Sequence, residues 1–189
     1  MSIFDEIKES AEGRELSTKW YRSQITALGG NTMTAEQHIE EGKVTGRPNF
    51  GMMNLFEYRP QTAQRLPFYD LFPLAIPVDT FRGGFVGINF HYLTIPMRVR
   101  LLELLIQSFS DQRMEKINVS WRQISGSSRV KPIVRRYKAK NVRSKFLKIS
   151  IEDMLIAALL PVQRFYTGPL DSKRPVSSNT VYSQIRKQM

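Results

Sequence analysis

The chain has no cysteine, so neither a disulfide framework nor thiol catalysis is open to it. Histidine is nearly as scarce: His38 and His91 are the whole supply, and a zinc site around them would need a carboxylate-heavy ligand set. Neither a metal nor any other cofactor is expected. Long apolar runs are missing as well. The richest, Met97 to Phe109, is broken by Arg98, Arg100 and Glu103 and falls short of the roughly 18 to 20 apolar residues that cross a bilayer, so no membrane contact is expected. The acidic opening MSIFDEIKES has neither the basic leader nor the apolar segment of an export signal.

Catalytic and nucleotide motifs are equally thin. Gly83, Gly84 and Gly87 fall between two strand-like runs and lack a P-loop lysine, so they read as a hairpin turn. His91 could be oriented by Asp70 or Asp79, but a triad also needs a nucleophile in reach, and nothing in the sequence places one. The reading adopted is a hydrogen-bonded histidine at the margin of the core. Glu152 and Asp153 are neighbours that point apart on a helix, which makes them first-turn acids, not an acid/base pair. The expectation is that the protein is not an enzyme.

What the sequence does hold is a dense apolar centre. From Leu66 to Leu93 the only charges are Asp70, Asp79 and Arg82, and the remainder is mostly aromatic, aliphatic, Gly or Pro. Strands are expected at Met52–Tyr58, Phe72–Val78 and Phe85–Leu93, the second at an edge or bulged because Pro73 and Pro77 cannot donate to a ladder. Pro96 opens a helix to Phe109 that covers the sheet, with Arg98 and Arg100 in the first turn, where the helix dipole disfavours cations; an anionic partner is expected for them. The segment from Arg129 reads as a helix with a narrow apolar face of Ile133, Val134, Tyr137 and Val142. A strand at Phe146–Ile151 follows, then a helix capped around Ser150 and stopped by Pro161. The fold class expected is α+β: a small curved antiparallel sheet, in the manner of an SH3-like barrel, covered by helices. Three parts are expected: a helical N-terminal extension over 1–45, with helices at 2–12, 15–28 and from Thr34; an α+β core over 46–166; and an extended C-terminal arm over 167–189, with a last helical turn capped by Asn179.

Charge is segregated along the chain. The net charge is +11, yet residues 1–41 hold eight acids against four bases, while Arg129 to Lys148 holds nine bases and no acid. Arg129, Lys131, Arg135, Arg136, Lys138, Lys140, Arg143, Lys145 and Lys148 would form a basic collar, and blocks of like charge repel unless an anion relieves them. These nine are the candidate nucleic-acid-binding residues. Scattered Lys and Arg contact phosphates and position a protein without reading bases. Tyr137 and Phe146 are interleaved with them and could stack on bases, although a tyrosine in an apolar stripe is more often core.

The segments LPFYDLFPLAIP (Leu66–Pro77) and GGFVGINFHYL (Gly83–Leu93), followed by a helix that begins with Pro96 and carries Arg98, resemble a virion protein family of T4-like contractile-tailed phages. The likeness is greatest to the DNA end protector family. KNVRSKFLKIS (Lys140–Ser150), IAALLPVQRF (Ile156–Phe165) and VYSQIRK near the end are similar too. One departure is Thr94-Ile95-Pro96, where the family pattern often has a second proline directly after HYL. The resemblance implies a non-enzymatic virion component, made in the host cytoplasm, that enters the filled head and sits at the DNA terminus near the portal. There it would shield linear double-stranded DNA from exonuclease after injection. The basic collar is compatible with that role, and equally with a neck, tail or baseplate adaptor that meets acidic surfaces of neighbouring virion proteins within a larger assembly.

Overall fold

The structure, a computed structural model, describes residues 44–189; the helices expected before Gly42, and all of the extension over 1–45 except Val44–Thr45, lie outside the described residues. Within them the strands are β1 (Val44–Thr45), β2 (Met53–Leu55), β3 (Tyr69–Asp70), β4 (Leu74–Phe81), β5 (Gly84–Asn89), β6 (Val134–Lys138), β7 (Phe146–Ile149), β8 (Phe165–Thr167) and β9 (Arg174–Val176). The helices are α1 (Ile95–Phe109), α2 (Trp121–Ile124), α3 (Ile151–Leu159) and α4 (Ser178–Arg186).

The β4–β5 hairpin is the middle of the fold. Gly83 takes φ 87° in its turn, and a Cβ on Gly84 would stand 2.1 Å from the Tyr137 carbonyl oxygen, so the close approach of β6 depends on glycine there. Around the hairpin a six-stranded antiparallel sheet runs in the order β1-β7-β2-β4-β5-β6, and a second sheet runs β3-β8-β9. The fold is mixed α+β with antiparallel sheets. No closed barrel forms among the described residues: β1 and β6 are free edges of the large sheet. The sheet curls enough for the chain after β6 to meet the chain after β2, through a single bridge from Tyr58 to Val142 and bonds from Arg59 N to Asn141 O (3.0 Å) and Arg143 N to Glu57 O (2.9 Å).

Strand alternation sends the two faces of the sheet to two cores. Leu74, Ile76 and Ile88 face the helices, where Leu102 and Leu105 of α1, Met154 and Leu155 of α3, and Val181 and Ile185 of α4 are buried with them. Phe56, Tyr58, Phe85, Tyr137 and Phe146 fill the opposite side as an aromatic cluster, with ring centroids 4.9 to 6.5 Å apart and several pairs edge-on.

Several expectations are corrected by this arrangement. Residues 129–145 are not a helix: β6 pairs with β5 through Gly87 and Arg135, Val86 and Arg136, Phe85 and Tyr137. Ile133, Val134 and Tyr137 satisfy a helical spacing, but the chance to pair with the hairpin decides in favour of a strand. The second strand is not at an edge. It is central, and the other alternative holds: the strand is bulged, its register shifting between Pro77 and Asp79, while Pro73 precedes the strand. The third strand stops at Asn89, whose side chain accepts from His91 N at 2.9 Å and turns Phe90–Tyr92 into a 3-10 turn. The C-terminal stretch is not an extended arm: it supplies β9 and α4, which is capped by Ser177 instead of Asn179 and buries Val181 and Ile185.

Arg98 is the largest fully buried side chain, and its expected anionic partner is replaced by neutral oxygens. Nε donates to Leu93 O (2.9 Å), Nη1 to Ala158 O and Leu160 O (both 3.3 Å), and Nη2 to His91 O (3.4 Å), Gln163 Oε1 (3.0 Å) and the Tyr182 hydroxyl (3.1 Å). Two of these carbonyls end α3, where the helix dipole favours a cation, so the position that penalises Arg98 in α1 rewards it at the end of another helix. Replacing Arg98 by Met is expected to destabilise the fold by about 3 kcal/mol or more, since it leaves a ring of buried acceptors unpaired. Denaturant melts of R98M and R98K against the parent check this, with R98K also losing the forked geometry that reaches several acceptors at once.

Candidate nucleic-acid interface

The nine collar residues do not share one helical face. Arg135, Arg136 and Lys138 sit on β6 at the edge of the sheet, with Arg129 and Lys131 in the turn before it. Lys140 follows in the 3-10 turn Ala139–Asn141, Arg143 lies where the chain crosses to β2, Lys145 leads into β7 and Lys148 lies within it. β6 and β7 are separated in the sheet by β2, β4 and β5, so the cations form a band that runs from one edge of the curled sheet to the other side. Arg129, Lys131, Arg136, Lys138, Lys140, Arg143 and Lys145 are exposed, and Arg135 and Lys148 are half-buried.

Two arginines of β6 are held in place by rings. The Arg135 guanidinium lies 4.2 Å from the Tyr92 ring centroid, and its Nη1 donates to Pro132 O (2.7 Å) and Val134 O (2.9 Å). Arg136 lies 4.1 Å from the Phe81 ring centroid. Such stacking leaves the charge available while reducing the side-chain freedom lost on binding. Among the described residues none of the nine is ion-paired with a carboxylate. Sequence reasoning missed Arg82: the hairpin turn brings it beside β6, because Gly84 pairs with Lys138 and Ala139 N donates to Gly83 O at 2.8 Å. Its exposed place next to the turn glycine was the available signal. Tyr137 and Phe146 are buried in the aromatic cluster and offer no stacking face.

Beside β6 opens a cleft of about 400 Å³, bordered by Arg135, Arg136 and Lys138 and reaching inward to Tyr92, Tyr137 and Asn89. Asp70 lies at its buried end. Asp70 Oδ1 accepts from Phe72 N (3.0 Å), and Oδ2 accepts from Asn89 Nδ2 (3.2 Å) and pairs with His91 Nδ1 (2.9 Å). His91 lies in the core, not at its margin: it is wholly buried, and its Nε2 has no hydrogen-bond partner. Burial therefore holds its pKa below the ordinary 6.5, against the pull of Asp70, so the ring is neutral and Nδ1–H donates to the carboxylate. Burial pushes the Tyr137 hydroxyl well above 10, against the pull of the Arg135 charge and the Asn89 side chain. A ring with no accessible surface cannot meet a substrate, so the histidine is structural. Among the described residues no group of three or more His, Cys, Asp or Glu could hold a metal, and no helix is long and apolar enough to cross a membrane.

The family model of the phage T4 terminal DNA protecting protein matches residues 3–185, nearly the whole chain. The chain belongs to that family. No curated protein and no solved structure matches it. Protection of terminal DNA is the role of the terminal DNA protecting proteins, and it is a task of binding, not of catalysis.

The buried His91 makes a pH prediction. Below about 6.5 the unfolded chain binds a proton at this position that the native state refuses, so stability is full above that pH and falls as the pH drops towards the lowered native value. The slope approaches about 1.4 kcal/mol per pH unit. Thermal melts across that range are expected to show the acid loss in the parent and a flatter limb in H91Q.

Proposed function

We propose that the band from Arg129 to Lys148 grips the phosphate backbone of linear duplex DNA close to its end, and that the protein protects the end by covering it. The observation that carries this reading is the run of nine cations with no acid among them, none ion-paired among the described residues, at the edge and crossing of a curled sheet. Phosphates are the same along any sequence, so a grip of this kind positions the protein without reading bases, as protection of a terminus requires. The protein acts as a component of the virion, made in the host cytoplasm and carried with the packaged DNA.

The salt dependence of binding tests the band. Each phosphate neutralised on duplex DNA steepens the fall of log K with log salt by about 0.9. Replacing Arg136, Lys138 and Arg143 together by Gln is expected to weaken binding and to reduce that slope by about 2 to 3, with little change in melting temperature because all three are exposed. An unchanged slope would move the DNA contact elsewhere. If the same substitutions instead abolished copurification with an acidic virion protein, the adaptor role would be the better reading.

A further inference from the structure

A band of cations holds a closed circle as firmly as an open end, because the phosphates are identical; some other feature must distinguish a terminus from the middle of a duplex. Only a terminus offers the uncovered face of a last base. We propose that the outer face of the small β3-β8-β9 sheet stacks on that base through Phe72 and Tyr166, with Arg164 and Lys173 beside them to meet the flanking phosphates. The inference rests on the reading of the band as the DNA contact, and it adds the preference for ends.

Strand alternation builds this face. Phe165 is buried against the rings of Phe68 and Tyr92, so its neighbours Arg164 and Tyr166 point the other way, outward. The register places Tyr69 and Pro175 on either side of Tyr166. Tyr69 is buried, its hydroxyl donates to Gly168 O at 3.1 Å, and its ring stacks on that of Tyr166 with centroids 6.4 Å apart, so it backs a half-exposed ring. Phe72, also half-exposed, lies just past β3 and is held by its backbone N–H on Asp70 Oδ1 at 3.0 Å. Each ring has its own exposed cation: the Arg164 guanidinium 5.7 Å from the Phe72 centroid, and Lys173 Nζ 5.5 Å from that of Tyr166. Both stand further off than Arg135 and Arg136 do from their rings, so they border the aromatic surface without covering it closely. Of the acids in these segments, Asp70 is buried, Glu57 is paired with Arg59 at 2.8 Å, and Asp171 lies in the turn before β9.

The face is continuous with the cationic band. Arg143 N donates to Glu57 O (2.9 Å), Tyr58 N to Leu71 O (2.9 Å), and Leu71 N to Arg164 O (3.2 Å), so three steps between neighbouring backbones lead from the band to the small sheet. At about 4.8 Å a step the path is about 14 Å, the rise of about four base pairs. A duplex gripped at Arg143 therefore needs only a few more base pairs to bring its end to the rings. Stacking on an aromatic side chain tolerates any base, which keeps the capture as blind to sequence as the phosphate grip. An internal base has both faces covered by its neighbours and would have to leave its stack to reach the same surface.

The test is competition binding by the full chain, with a blunt linear duplex and a covalently closed circle of the same length and sequence. The parent is expected to prefer the linear DNA by roughly tenfold, within the worth of one base–aromatic stack, and equal affinity for the two overturns the proposal. F72L/Y166L keeps apolar bulk but removes the rings; it is expected to bind linear DNA no better than the circle, with parental affinity for the circle. R164Q/K173Q changes only exposed side chains and is expected to lower the preference about threefold at the parental melting temperature. Parental preference in both variants overturns the platform. A fluorescent purine analogue as the last base gives a second readout: its emission is expected to fall on binding the parent and to stay unchanged with F72L/Y166L, and unchanged emission with the parent overturns the stacking. A third variant, R143Q/K145Q, alters the band alone and is expected to weaken both DNAs in the same proportion. Parental binding of both DNAs by this variant would overturn the band instead.

Discussion

The fold depends on one guanidinium placed where no water reaches it. Arg98 comes from the first turn of α1 and collects oxygens from the 3-10 turn after β5, from the end of α3, from Gln163 and from α4. Each of these segments can be moved only by leaving a buried charge or a buried acceptor without its partner, and such groups are expensive in a low-dielectric interior. The carbonyl dipoles ending a helix meet the charge directly, and the buried Asp70 carboxylate attracts it from further off. The helices are thus tied to one point on the hairpin's helical side, which leaves the opposite side, with its aromatic cluster and β6, free to carry the band and the cleft.

The edge position of β6 gives its cations two physical consequences. An open strand edge invites pairing with another chain, and exposed Arg136 and Lys138 discourage that encounter by repulsion. The same charges, unpaired and partly fixed by Tyr92 and Phe81, are attractive to a polyanion. The same charges thus repel another copy of the edge and attract phosphate.

Much of the fold was legible in the chain because local and tertiary preferences agreed. The β4–β5 hairpin carried its own turn glycines, α1 its proline entry and apolar face, and α3 its stop at Pro161. The segment after Arg129 was not legible as a strand, because Ile133, Val134 and Tyr137 fit both periodicities and only the free edge of β5 decides between them. Of the site, the charge was visible but its shape was not: a helix would have gathered the nine cations into a collar, whereas the chain draws them out from one edge of the sheet to the other side. Arg98 stood out as a cation in the wrong turn of its helix, yet its answer lay in Ala158, Leu160 and Tyr182, too far along the sequence for any local pattern to name.

The distance along the chain between Arg98 and those partners bears on when the protein can fold. β7 must pass over to join β1 and β2 before the sheet is complete, and Tyr182 must arrive before the guanidinium has its full shell. Contacts of such long sequence separation form slowly and late, since the loop-closure entropy is lost before they return any stabilisation. A nascent chain halted before α4 lacks Tyr182 and leaves the guanidinium one partner short. The shell of the arginine is therefore closed only once α4 has been made and has docked.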